Sequence, residues 1–152
     1  MTTPRRRARE FALQGLYQWQ YTGEGAAEVL KNLAELDEFE AADQDFLEAQ
    51  LRGTVAEFGD LRSRIEPLVD RKWDDLSPIE RGILLLAAWE LVHKPEIPYR
   101  ATINEAIELG KKFGGTDGHK YVNGVLDRLA ASVRADEVAA PRVAKPRKKG
   151  KS

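Results

Sequence analysis

The chain has 152 residues, enough for one domain with a real hydrophobic core and too few for two full catalytic domains. Cysteine is absent, which excludes disulfides, thiolate metal sites and a cysteine nucleophile, and the longest wholly apolar run, Ile83 to Trp89, is far below the roughly 20 residues that span a bilayer. The net charge of -1 hides a segregation: residues 1–9 carry four arginines and no acid, while residues 10–91 carry 7 basic and 18 acidic side chains, a division that suits two partners of opposite charge.

Apolar residues recur at i, i+3, i+4 almost throughout and no useful length alternates with period two, so the spacing predicts an all-α chain. The first helix is expected over Pro4 to Tyr21, burying Ala8, Phe11, Ala12, Gly15, Leu16 and Trp19. The arginine-rich start of the chain passes straight into this pattern, without the apolar core of a secretory signal, so a cytoplasmic location is expected. A Gly23-Glu24-Gly25 break leads to a short helix, Ala26 to Leu36. Asp43 suits the cap of the next, whose stripe is Leu47, Leu51, Val55 and Phe58. A fourth segment, Asp60 to Lys72, is expected to kink or shorten at Pro67.

Ser77-Pro78-Ile79-Glu80 is the clearest helix start: a serine cap, proline at the first helical position and a glutamate three residues on. The run that follows, Ile83 to Trp89, is apolar around nearly the whole helix and predicts a central helix buried on several sides, ended by Pro95 and Pro98. Thr102-Ile103-Asn104-Glu105 repeats the capping pattern before Ala106, Ile107, Gly110 and Phe113, and Gly114-Gly115 stop that helix. The last helix is expected from Thr116 or Asp117, with Val122, Val125, Leu126, Leu129 and Val133 inward. The domain is read as residues 1–134, and residues 135–152, rich in Ala, Pro, Lys and Arg, as a basic disordered tail.

Two places carry a binding signal. On the first helix Arg5, Arg6, Arg7 and Arg9 are followed at four-residue steps from Arg9 by Leu13 and Tyr17, so that guanidinium groups and an aromatic ring share a flank. Guanidinium groups neutralise phosphates and stack on bases, and four of them at a helix N-terminus oppose the macrodipole, which favours a use for the charge. The plain alternative is a solvated helix end. At the other end, His119-Lys120-Tyr121 opens the last helix, where free backbone amides favour phosphate. Neither histidine, His93 or His119, belongs to a metal-binding or catalytic spacing, so no metal, no cofactor and no enzymatic activity are expected.

The segments Arg5 to Gln20, Ser77 to Leu91, and Ile103 to Leu109 with His119 to Leu126 together resemble the NusB family of transcription antitermination factors, from about Arg5 to Arg134. The resemblance implies a bundle of about seven helices in two subdomains. It implies binding to the boxA element of ribosomal RNA leaders with NusE, a small-subunit ribosomal protein, in the transcription elongation complex. It places Arg5, Arg6, Arg7, Arg9, Tyr17, His119, Lys120 and Tyr121 on the RNA, and Glu80, Arg81, Leu84 and Ala88 against NusE. A second reading pairs the helix from Ser77 to Lys94 with its own copy as a homodimer. The same helical domain is similar to the N-terminal part of some ribosomal RNA cytosine methyltransferases, whose glycine-rich cofactor loop has no counterpart here.

Overall fold

The structure, a computed structural model, describes residues 2–115 and 118–140. They form eight α-helices joined by short 3₁₀ turns, and no strand occurs among the described residues. The helices are α1 (Pro4–Thr22), α2 (Ala26–Leu33), α3 (Gln44–Ala56), α4 (Phe58–Ile65), α5 (Pro78–His93), α6 (Tyr99–Phe113), α7 (Gly118–Val133) and α8 (Ala135–Ala139).

Helix α5 is the axis. Its residues from Gly82 to Leu91 are all buried, and it packs on α1, α3, α4, α6 and α7, as a stretch apolar on every side requires. Around it α1, α2 and α3 pack on one another, and α6 and α7 pack closely together. The α5 start is the expected capping box: the Glu80 amide donates to Ser77 Oγ at 3.0 Å and the Ser77 amide to Glu80 Oε1 at 3.2 Å. Its other end is capped by Arg134, whose buried guanidinium donates to the carbonyls of Leu91 at 2.7 Å, Lys94 at 2.9 Å and Ile97 at 3.0 Å. The Leu91 carbonyl is one of the acceptors that the α5 C-terminus leaves without an intrahelical partner, and Lys94 and Ile97 belong to the turn that follows.

Several boundaries differ from the pattern. Helix α2 ends at Leu33, short of Leu36, which is exposed. The stripe from Leu47 to Phe58 is divided, because the chain leaves helical geometry at Glu57 and Phe58 opens α4. Pro67 lies in a 3₁₀ turn, Glu66–Leu68, that ends the fourth segment well before Lys72. Thr102 does not start a helix. It is buried within α6, where its hydroxyl donates to Glu90 at 3.4 Å; Glu105, the other end of the supposed capping box, binds arginines of α1 instead. Residues 135–139, expected in the disordered tail, are helical. Glu137 explains this, since its carboxylate accepts from Arg134 at 2.6 Å and from the Tyr99 amide at 2.9 Å, tying α8 to the start of α6. The rest of the tail, and the expected helix start at Thr116 or Asp117, lie outside the described residues.

Candidate nucleic-acid interface

Helix α1 begins where the Thr3 hydroxyl accepts the Arg6 amide at 3.1 Å and Pro4 supplies the preset first turn, so the arginines occupy its opening turns. They divide by burial. Arg5 leaves 48% of its side chain exposed, 3.6 Å from Asp43 and over the Phe46 ring. Arg6 leaves 41% exposed and grips Glu105 with two bonds of 2.9 Å, and Arg7 pairs with Glu38. Arg9 is different: only 7% exposed, it holds Glu90 of α5 through two bonds of 2.8 Å, and Gln50 donates to the same carboxylate at 2.8 Å.

Arg9 therefore does not belong to an RNA surface, and Leu13, 2% exposed, shares its inward position. The physical reason is Glu90: a carboxylate on an all-buried helix needs a cation, and Arg9 is the one that α1 turns toward it. Arg5, Arg6 and Arg7 keep exposed pairs of the kind worth about 0–1 kcal/mol, which an incoming phosphate is able to replace. The Arg6 guanidinium holds the Glu105 carboxyl below its ordinary range.

Further along α1, Tyr17 is 44% exposed and packs against Tyr21 with ring centres 5.0 Å apart. Beside it runs an apolar groove of about 220 Å³ lined by Glu10, Leu13, Gln14, Tyr17, Ile79 and Phe113. Glu10 also borders a neighbouring charged cleft in which Arg6, Lys111 and Lys112 alternate with Glu105 and Glu108, so Arg6 and Tyr17 lie along adjoining clefts on one side of α1. Phe113, expected on the buried face of its helix, is 41% exposed with the Lys112 ammonium 5.4 Å from its ring centre. Its place in the last turn before Gly114-Gly115 was the available sign, since the packing stripe of α6 ends there.

Helix α7 opens close against α6: a Cβ on Gly110 would stand 3.0 Å from the His119 Cα, tighter than ordinary contact, so glycine favours this approach. His119 is half-buried and Lys120 exposed. Tyr121 is half-buried, and burial raises its phenol above the ordinary value. The Arg71 guanidinium lies 4.1 Å from the Tyr121 ring centre and donates to Asp70 at 3.0 Å. No sequence pattern had singled out Arg71, which sits in the loop between two 3₁₀ turns.

Of the residues expected against a protein partner, Leu84 and Ala88 are both 0% exposed and lie in the core. A four-residue step from Glu80 along a helix surrounded on all sides leads inward, not to a free face. Arg81 is half-buried and braces the turn before α5, donating to the Leu76 carbonyl at 2.8 Å, the Trp73 carbonyl at 3.3 Å and Gln20 Oε1 at 3.0 Å. Glu80 is likewise half-buried, its carboxylate 3.5 Å from where a Cβ on Gly118, at the start of α7, would stand. Gly82 to Leu91 of α5 are enclosed by their own chain, so those residues offer no face to a second copy. Among the described residues no group of His, Asp and Glu side chains is placed to hold a metal ion, and no helix is long and apolar enough to cross a membrane.

Residues 6–131 match the model of the NusB family. The transcription antitermination protein NusB of Thiobacillus denitrificans is 52% identical over 138 residues, covering 91% of this chain and 95% of that protein. The protein of the same name from Bordetella pertussis is 52% identical over 143 residues, covering 91% and 93%. Among solved structures, T. maritima NusB superposes with a TM-score of 0.70 at 33% identity, covering 90% of this chain and 98% of that one. A structure of the antitermination factors NusB and NusE in complex with dsRNA has a TM-score of 0.74 at 25% identity, covering 84% and 96%.

Proposed function

Because the chain belongs to the NusB family, we propose that it is a cytoplasmic transcription antitermination factor, a binding protein and not an enzyme, that recognises the boxA element of ribosomal RNA leaders as a heterodimer with NusE. In the elongation complex this pairing promotes processive transcription of ribosomal RNA operons. The observation that carries the RNA side is the strip itself. The Arg6 guanidinium stands at one end, with those of Arg5 and Arg7 on the same opening turns, and the apolar groove with Tyr17 follows along the same helix. His119, Lys120 and Tyr121 open α7, and Ile79 in the groove adjoins Glu80, which in turn lies beside Gly118. Cations for phosphates next to rings for unpaired bases are what single-stranded RNA requires.

Glu80 is the remaining candidate for the protein side, where its charge suits a basic ribosomal protein; Arg81 supports the loop that presents it. Titration of boxA RNA and of a scrambled RNA of equal length, each with and without NusE, tests the reading. The expected result is preference for boxA, strengthened by NusE, with affinity that falls steeply as salt rises. Equal affinity for both RNAs in the presence of NusE overturns it.

A further inference from the structure

The assignment of Tyr121 to RNA contact treats its ring as a platform for a base. The ring, however, packs against the core and is covered by the Arg71 guanidinium, 4.1 Å from its centre. What this place offers to solvent is Arg71, which is exposed. We propose that Arg71 is the RNA-contacting residue at the start of α7, offering the plane of its guanidinium to an unpaired base and its charge to the adjoining phosphate, with Tyr121 beneath it as a positioning residue. The inference rests on the reading that the start of α7 meets RNA.

Three features of the geometry support it. A guanidinium is planar, stacks on aromatic faces and on bases alike, and keeps its charge at any working pH. The ring below and the Asp70 carboxylate beside it hold the long side chain in one place, so less side-chain freedom is lost when a ligand arrives. The Asp70 pair is exposed on both sides, 42% and 72%, and such a pair yields readily to phosphate. Asp70 and Glu80 are the two carboxylates whose charge acts on Arg71.

Anisotropy titration of single-stranded boxA RNA over a salt series, with folded fraction followed by circular dichroism, tests this with four variants. Arg71→Ala is expected to lower affinity on the order of tenfold and to reduce the log–log salt slope by about one. Arg71→Lys is expected to keep the slope and lose part of the affinity, because charge remains and the plane is gone. Asp70→Asn is expected to raise affinity, since it releases the guanidinium. If Tyr121→Ala weakens binding while Arg71→Ala keeps the parent affinity and slope, the base reaches the ring itself and the inference is overturned while the RNA reading of α7 stands. If neither substitution changes binding of RNA that the parent protein does bind, α7 lies off the RNA surface and both are overturned. Lost stability in Arg71→Ala with an unchanged slope assigns Arg71 a packing role and also overturns the proposal.

Discussion

Arg6 and Arg9 lie one helical turn apart on α1 and each grips a carboxylate with two bonds of nearly equal length, yet they belong to different parts of the molecule. The Arg6–Glu105 pair joins α1 to α6 at the surface, with 41% of the arginine side chain exposed; the Arg9–Glu90 pair joins α1 to α5 inside, with 7% and 3% exposed. Water decides the difference. At the surface both partners are solvated when apart, so the pair contributes little and either partner is open to exchange. Inside, neither charge has an alternative, and removing one leaves the other stranded. Four arginines close together thus include both solvent-facing and structural residues, and only the fold tells them apart.

The largest expected effect breaks the inner pair. Arg9→Ala leaves Glu90 buried with Gln50 and Thr102 as its remaining side-chain donors, and is expected to cost about 3–5 kcal/mol of stability, measured by chemical denaturation. A cost below about 1 kcal/mol would place Arg9 back among the exposed arginines. Arg6→Ala is the matched outer change. It is expected to alter stability by at most about 1 kcal/mol, while RNA affinity falls and the salt slope drops by about one. Should both variants lose RNA affinity only in proportion to their unfolded fraction, the distinction between the two arginines has no functional content.

The inner pair could have been found from residue order. Glu90 follows the apolar run on the central helix, and an acid there demands a buried cation; reading the arginines only against their own helix conceals this. The central helix and its capping box were readable because the cap, the proline and the all-round apolar run agree with one another. The same run implies that Leu84 and Ala88, which the resemblance places against NusE, lie in the core, since a helix enclosed on all sides has no outward face to continue from Glu80. Thr102 and Glu105 mimic a cap at the right spacing, yet both side chains serve long-range partners. Arg71 has no local signature, and Phe113 only its place in the last turn before Gly114-Gly115. Their positions depend on how the loop before α5 and the end of α6 meet α7 and α1, which no window of sequence contains.

A smaller effect concerns Glu80 at the start of α5. Glu80→Ala removes the reciprocal half of the α5 cap and is expected to lower stability by up to about 1 kcal/mol, whatever the partner. Glu80→Lys carries the same loss and adds a like charge toward a basic protein. At equal folded fraction it is expected to weaken NusE binding well beyond Glu80→Ala, more so at low salt. Calorimetric titration of both variants separates the roles, and identical affinities would make Glu80 a cap only.

The smallest expected effect is a pH dependence of the outer pair, which sharpens its contrast with the inner one. Hydrogen bonding and charge from Arg6, with a smaller contribution from Arg9, hold the Glu105 carboxyl below its ordinary value against the opposing effect of burial. A carboxyl depressed in the folded state contributes stability that is fully present above its unfolded pKa, about 4.3, and is lost as pH falls through the lower folded value. The stability difference between the parent protein and Arg6→Ala, at most about 1 kcal/mol near neutral pH, is therefore expected to be flat from pH 8 to about pH 5 and to shrink toward zero as Glu105 becomes protonated. Since both side chains are partly exposed, added salt is expected to shrink the same difference at neutral pH, as screening reaches a surface pair and not one enclosed by the core. Urea denaturation of the two proteins at matched pH values, in low and high salt, measures this directly. A difference that persists unchanged through acid pH would mean that Arg6 supports the helix by packing along its stem, and not through the carboxylate it grips.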